Sequence, residues 1–131
     1  MAQAKRPLSP HLQVYRWGWH MAASIINRAT GVALAVGTIL LAWWFVAMAT
    51  GYEYFGVVQD YAGSVVGQVI LFGLTFCLMQ HLAGGIRHLF MDTGKMYDLK
   101  INTSSARLTF IFSIVATLGT WFAAYKVMGV L

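Results

Sequence analysis

The sequence predicts an all-α integral membrane protein of three transmembrane helices, with a cytoplasmic N-terminus and a periplasmic C-terminus. Three observations carry this. Hydrophobic residues make up 59% of the 131 and charged residues only 10%, against roughly 25% charged in a soluble domain. The charges are segregated, with no Asp, Glu, Lys or Arg in residues 29–52, 61–86 or 108–125. A spanning helix needs about 20 mostly apolar residues, with a range of roughly 17–25. Finally, Lys5, Arg6, Arg16 and Arg28 precede the first stretch, and Arg87, Lys95, Lys100 and Arg107 surround the loop after the second. The first loop holds Glu53 and Asp60, and the far end holds Lys126. The positive-inside rule puts the basic ends on the cytoplasmic side. The net charge of +5 therefore reads as topology, and nucleic acid is not an expected partner.

The whole chain, residues 1–131, reads as a single membrane-anchor domain. Residues 1–28 form a cytoplasmic or interfacial segment, and the spans lie at about 30–50, 64–90 and 106–128. Pro7 and Pro10 make residues 6–12 extended rather than helical. Tyr15, Trp17 and Trp19 suit an interfacial aromatic belt. Residues 20–28 approach the first span, where Ser24 and Arg28 share a helix face. There, Arg28 is either a snorkelling base beside a capping serine or half of a polar pocket for a carbonyl-bearing or anionic ligand.

Residues 51–62 read as a short outer loop. Gly63 and Gly67 form a small-xxx-small pair that permits close helix approach. Residues 91–106 read as the second loop, with Ser104 or Ser105 capping the third span. Between Arg107 and Lys126 that span carries no polar group beyond Ser, Thr and Tyr and is assigned to packing. Cys77 is the single cysteine, so no intrachain disulfide is expected. No cleavable signal is evident, and the chain reads as bacterial or organelle-encoded.

Residues 81–92 concentrate the chemistry, since an ionisable side chain at membrane depth is costly and usually functional. They hold His81, Gly84, Gly85, Arg87, His88 and Asp92. His81 and His88 fall on nearly one face, roughly 10 Å apart along the helix, so one iron cannot take both. Gly84 and Gly85 remove side chains where a flat macrocycle would press. Histidine is a common axial ligand of haem iron, and no other predicted span contains one. A second ligand would therefore come from another polypeptide. The competing readings are an interhelical hydrogen-bonded His81 and an interfacial His88. Arg87 and Arg28 are each a positive-inside charge or a partner for a haem propionate. The sequence has no acid pair within a span, no GxSxG and no phosphate-cradling glycine loop. Hydrolase chemistry is excluded on that basis, and redox work would need a cofactor.

Three motifs, residues 6–12 (RPLSPHL), 24–31 (SIINRATG) and 81–92 followed by Gly94, resemble the cytochrome b556 subunits of succinate dehydrogenase, the large membrane anchors of respiratory complex II. The resemblance implies an anchor that is not catalytic by itself. It would be joined by a second small membrane anchor subunit, an iron–sulfur subunit and a flavoprotein subunit. Electrons from succinate would pass through flavin and iron–sulfur clusters to ubiquinone, linking the tricarboxylic acid cycle to the respiratory chain. His81 matches the axial ligand of a haem b shared with the partner anchor, and Arg28, Arg87 and His88 become candidate propionate contacts. Ser24, Ile25 and Arg28 match the quinone site. Asn27 stands where many members have His; it can donate a hydrogen bond but carries no charge, and His20 is a candidate stand-in. The implied location is the bacterial inner membrane, in contact with lipid, with the mitochondrial inner membrane second. A cofactor-free structural or transporter subunit and a fumarate reductase anchor are the alternatives.

Overall fold

A computed structural model of the chain describes residues 15–130; the extended reading of residues 6–12 lies outside them. The described residues form four helices, α1 Trp19–Thr50, α2 Tyr52–Gly63, α3 Val65–Asp92 and α4 Leu99–Val127. α1, α3 and α4 are long and apolar enough to cross a membrane, at 32, 28 and 29 residues. At about 1.5 Å per residue each exceeds a hydrocarbon core of roughly 30 Å, so their ends project beyond it.

α1 runs unbroken through residues 20–28, because nothing after Pro10 interrupts its hydrogen bonding. The approach to the first span is thus the opening turns of the span's own helix. α1 stops at Gly51, whose φ of 143° is open to glycine and not to L side chains.

Residues 51–62, expected as a loop, are helical instead. The stripe of Tyr54, Phe55 and Val58 lies back on the end of α1. Val58 is buried there, as is Ala47 of α1. Phe55 meets Trp44 edge-on with ring centroids 5.6 Å apart. Trp43 Nε1 donates to Tyr54 Oη at 2.9 Å, and Trp44 Nε1 to Gln59 Oε1 at 3.5 Å. Glu53 and Asp60 make the segment read as a polar loop, but both are exposed on a short amphipathic helix whose other side packs on α1.

At the next corner the Ser64 hydroxyl accepts the Gly67 amide at 3.1 Å and caps α3. A Cβ on Gly67 would strike the Tyr61 carbonyl oxygen, while one on Gly63 would meet nothing within 4 Å. Of the expected glycine pair, Gly67 therefore serves a tight corner and neither glycine meets another helix's side chain. The N-cap of α4 is Asp98, not Ser104 or Ser105. Its carboxylate accepts the Lys100 and Ile101 amides at 2.9 and 3.2 Å, and an anion suits the positive helix end. Residues 102–105 consequently lie inside α4.

The interior is small and polar, and the large apolar side chains face outward. Ala23, Ala83 and Ala106 are buried, together with Gln80, Thr109, Ser113 and Thr117. Small residues let backbones approach where lipid removes the hydrophobic drive. Between α3 and α4, Ser113 Oγ donates to Gln80 Oε1 at 2.7 Å, and Gln80 Nε2 to Thr109 Oγ1 at 3.5 Å. Trp121 Nε1 donates to Thr75 Oγ1 at 3.2 Å. The third span does pack, but through its hydroxyls.

Candidate functional site

His81 leaves α3 toward α1, where its Nδ1 lies 3.1 Å from the Asn27 carbonyl oxygen and 3.4 Å from Thr30 Oγ1. Thr30 spends its own proton on that same carbonyl, at 3.0 Å. A carbonyl oxygen only accepts, so Nδ1 donates. With Nδ1 as the donor, Nε2 is the nitrogen that can offer a lone pair to a metal. Among the described residues Nε2 has no hydrogen-bond partner. Metal-bound histidines are held in this way, with the second ring N–H given to a carbonyl or carboxylate that fixes tautomer and orientation. The donor set therefore fits a haem iron. Among the described residues no three His, Cys, Asp or Glu side chains converge as a metal site.

Glycines on both helices shape this contact. A Cβ on Gly31 of α1 would lie 3.2 Å from His81 Cε1. On α3, a Cβ on Gly84 would collide with Asn27 Oδ1 and lie 3.0 Å from Asn27 Cγ. The expectation that Gly84 clears a face for a macrocycle is thus corrected: the Asn27 side chain fills that space. Gly85 does face open space, with nothing within 4 Å of its would-be Cβ. Asn27 Oδ1 is buried and has no hydrogen-bond partner among the described residues.

Arg87 is buried and turned to α4, away from α1. Its Nε donates to Ser105 Oγ at 3.1 Å and its Nη2 to Asn102 Oδ1. Neither partner is an acid, and the fork keeps further N–H groups unassigned. His88 is exposed on the last turns of α3, as is Arg28 on α1. Ser24 is half-buried and Ile25 exposed. Thr38, Thr50, Thr75 and Thr120 all donate back to a carbonyl three or four residues earlier. Ser24 makes no such bond among the described residues, which leaves its hydroxyl available. His20 folds over Gly18, and its Nδ1 is buried without a partner among the described residues. Nearby, the Arg107 guanidinium lies 5.7 Å from the Trp19 ring centre, and Trp19 meets Phe110 edge-on at 5.9 Å. These contacts tie the start of α1 to α4.

The structure therefore brings Ser24, Arg28 and His81 to one end of the bundle, because His81 bonds the residue preceding Arg28. It sends Arg87 to the opposite face of α3. The roles of the Asn27 carbonyl, Thr30 and Gly31 were not read from the sequence. Their signal was positional: Asn27, Thr30 and Gly31 share one helix face, and that face meets the histidine. A groove of about 1130 Å³ between α1, α2 and α3, lined by Gly37, Leu40, Trp44, Val58, Ile70 and Leu74, lies toward the other end.

The family described as succinate dehydrogenase/fumarate reductase transmembrane subunit matches residues 2–120. The succinate dehydrogenase cytochrome b556 subunit of Paracoccus denitrificans is 44% identical over 99 residues, 76% of this chain and 75% of that one. The Rickettsia felis cytochrome b556 subunit is 32% identical over 117 residues, 89% of this chain and 91% of its own. The mitochondrial cytochrome b560 subunit of Sus scrofa is 35% identical over 118 residues, 88% of this chain and 70% of its own.

Proposed function

We infer the function of this chain from its kinship and its site together: it belongs to the succinate dehydrogenase/fumarate reductase transmembrane subunit family. With three apolar helices and bacterial relatives, it is a multi-pass protein of the bacterial inner membrane. We propose that it anchors a succinate:ubiquinone oxidoreductase and supplies half of a haem b site and part of a quinone site. The observation that carries the haem reading is the Nδ1–H bond of His81 to the Asn27 carbonyl, with Nε2 unpartnered at membrane depth. An unsatisfied imidazole nitrogen there is costly, and an iron ligand role accounts for it. An interhelical histidine without a cofactor would make the same Nδ1 bond but leave Nε2 unexplained.

When bound, haem b would supply one-electron storage. The chain's own residues do the rest. His81 would hold the iron through Nε2, and a second small anchor subunit would supply the other histidine. Arg28 and His88, both exposed at this end, would be the partners of the propionates. Arg87 adds positive charge from its clamp on α4. Ser24 donates its hydroxyl to a quinone carbonyl, Ile25 forms apolar wall, and Arg28 stabilises the negative charge that develops on the reduced oxygen. The basic end is cytoplasmic and receives the iron–sulfur and flavoprotein subunits. Relatives named as succinate dehydrogenase subunits favour succinate oxidation over fumarate reduction.

An absorption spectrum of the purified complex tests the haem reading. The reduced form should show a b-type band that disappears in His81→Ala while the subunits remain assembled. A colourless wild-type complex would overturn it.

A further inference from the structure

The contact between α1 and α3 at His81 is a reciprocal interlock. Gly31 of α1 leaves room for the His81 ring of α3, and Gly84 of α3 leaves room for the Asn27 side chain of α1. Asn27 and Gly31 are one turn apart on α1, as are His81 and Gly84 on α3, so each helix offers one knob and one notch on a single face. Asn27 joins the two halves. Its side chain occupies the Gly84 notch, and its main-chain carbonyl holds His81 Nδ1 at 3.1 Å.

We propose that Gly31, Gly84 and Asn27 are positioning residues for the haem ligand: the two notches seat α1 against α3 so that the Asn27 carbonyl aims and polarises the His81 ring. This rests on His81 being that ligand. Three observations support it. The Asn27 carboxamide oxygen is buried without a hydrogen bond among the described residues, so the side chain contributes shape at that point. A Gly84 Cβ would meet not only the Asn27 carboxamide oxygen but also Cγ and Cβ, at 3.0 and 3.6 Å, so turning the terminal amide alone does not clear it and the whole short side chain has to swing out of the notch. Thr30, buried beside them, ties its hydroxyl to the same carbonyl, which fixes the acceptor from the α1 side. A stronger Nδ1–H bond raises the basicity of a ligating imidazole, and a more basic ligand favours the oxidised iron. Weakening the bond should therefore raise the haem midpoint potential.

The experiment uses the complete purified complex, read by redox titration of the haem band and by the EPR signal of the oxidised haem. Gly84→Ala should raise the midpoint and shift the EPR signal while haem content stays at the wild-type level. Asn27→Ala combined with Gly84→Ala keeps the carbonyl but vacates the notch, and should bring both readouts back toward wild type. If Gly84→Ala does not assemble, recovery of assembly and spectrum in the double variant carries the same meaning. Gly31→Ala, whose Cβ would press on the ring at 3.2 Å, should raise the midpoint more mildly. The interlock is refuted by a Gly84→Ala complex with unchanged midpoint and EPR signal, by a double variant as disturbed as Gly84→Ala, or by a lowered midpoint. A wild-type complex without haem refutes the ligand role itself, so the two failures are distinguishable.

Discussion

Toward α4, α3 presents Gln80 and Arg87, both buried and both hydrogen-bonded across the interface. Toward α1 it presents His81, whose hydrogen bonds among the described residues are made by Nδ1 and not by Nε2, and Gly84, which faces the buried, unpartnered Asn27 Oδ1 of α1. The same helix thus has one saturated polar face and one unsaturated one. The saturated face resembles a structural interface, where unsatisfied buried groups are rare because each is expensive. The unsaturated face departs from that rule where a ligand would bind, which is where departures are expected. The difference separates stability from function along α3, so mutations on the two faces should have separable effects.

The largest expected effect lies on the functional side. Ser24→Ala and Arg28→Leu should each lower quinone reductase activity by about 10- to 100-fold, the equivalent of losing a charge-assisted hydrogen bond. Succinate oxidation by an artificial acceptor should be retained; equal loss of both activities would mean that these residues serve assembly. Next comes the clamp on the structural side. Arg87→Met leaves Asn102 and Ser105 without their shared donor and should cost about 1–3 kcal/mol, seen as a lower unfolding temperature of the complex. An unchanged haem spectrum in that variant would confine Arg87 to the clamp, and an altered one would restore its propionate role. Gln80→Leu should destabilise by about 1–2 kcal/mol and leave the quinone and haem readouts untouched; a changed haem midpoint would break the separation of faces. The smallest effect is at the α4 cap, where Asp98→Ala should cost about 1 kcal/mol and Asp98→Asn should recover most of it.

How much of this was legible beforehand depended on whether the determining partner was local. The three spans were readable because lipid excludes charge, and the gaps between charged residues mark them directly. His81 was readable for the same reason. The seat it occupies was not, because Gly84 faces Asn27 and Gly31 faces His81 from helices far apart in the chain. Periodicity cannot say which face of α1 meets which face of α3. The direction of Arg87 was partly accessible: six residues at about 100° each place it well away from the His81 face. α2 was missed because its stripe is short and gains meaning only against Trp43 and Trp44. The α4 cap was misplaced because Ser104 and Ser105 adjoin the apolar run, whereas Asp98 starts the helix earlier, in a polar turn.

The α2 ledge has a bearing on depth. Trp43, Trp44, Tyr54 and Tyr61 gather where α1, α2 and the start of α3 meet, and amphipathic aromatic rings settle at the level of lipid headgroups. One vertical reference of the molecule therefore lies at the end remote from His81, opposite the belt of Tyr15, Trp17 and Trp19. Being rigid rods, α1 and α3 carry that reference down to the histidine, as a plumb line hung from a beam fixes the height of its weight. A bilayer of different thickness would be met by tilt about this ledge, with the spacing between ledge and histidine held constant by the helices themselves.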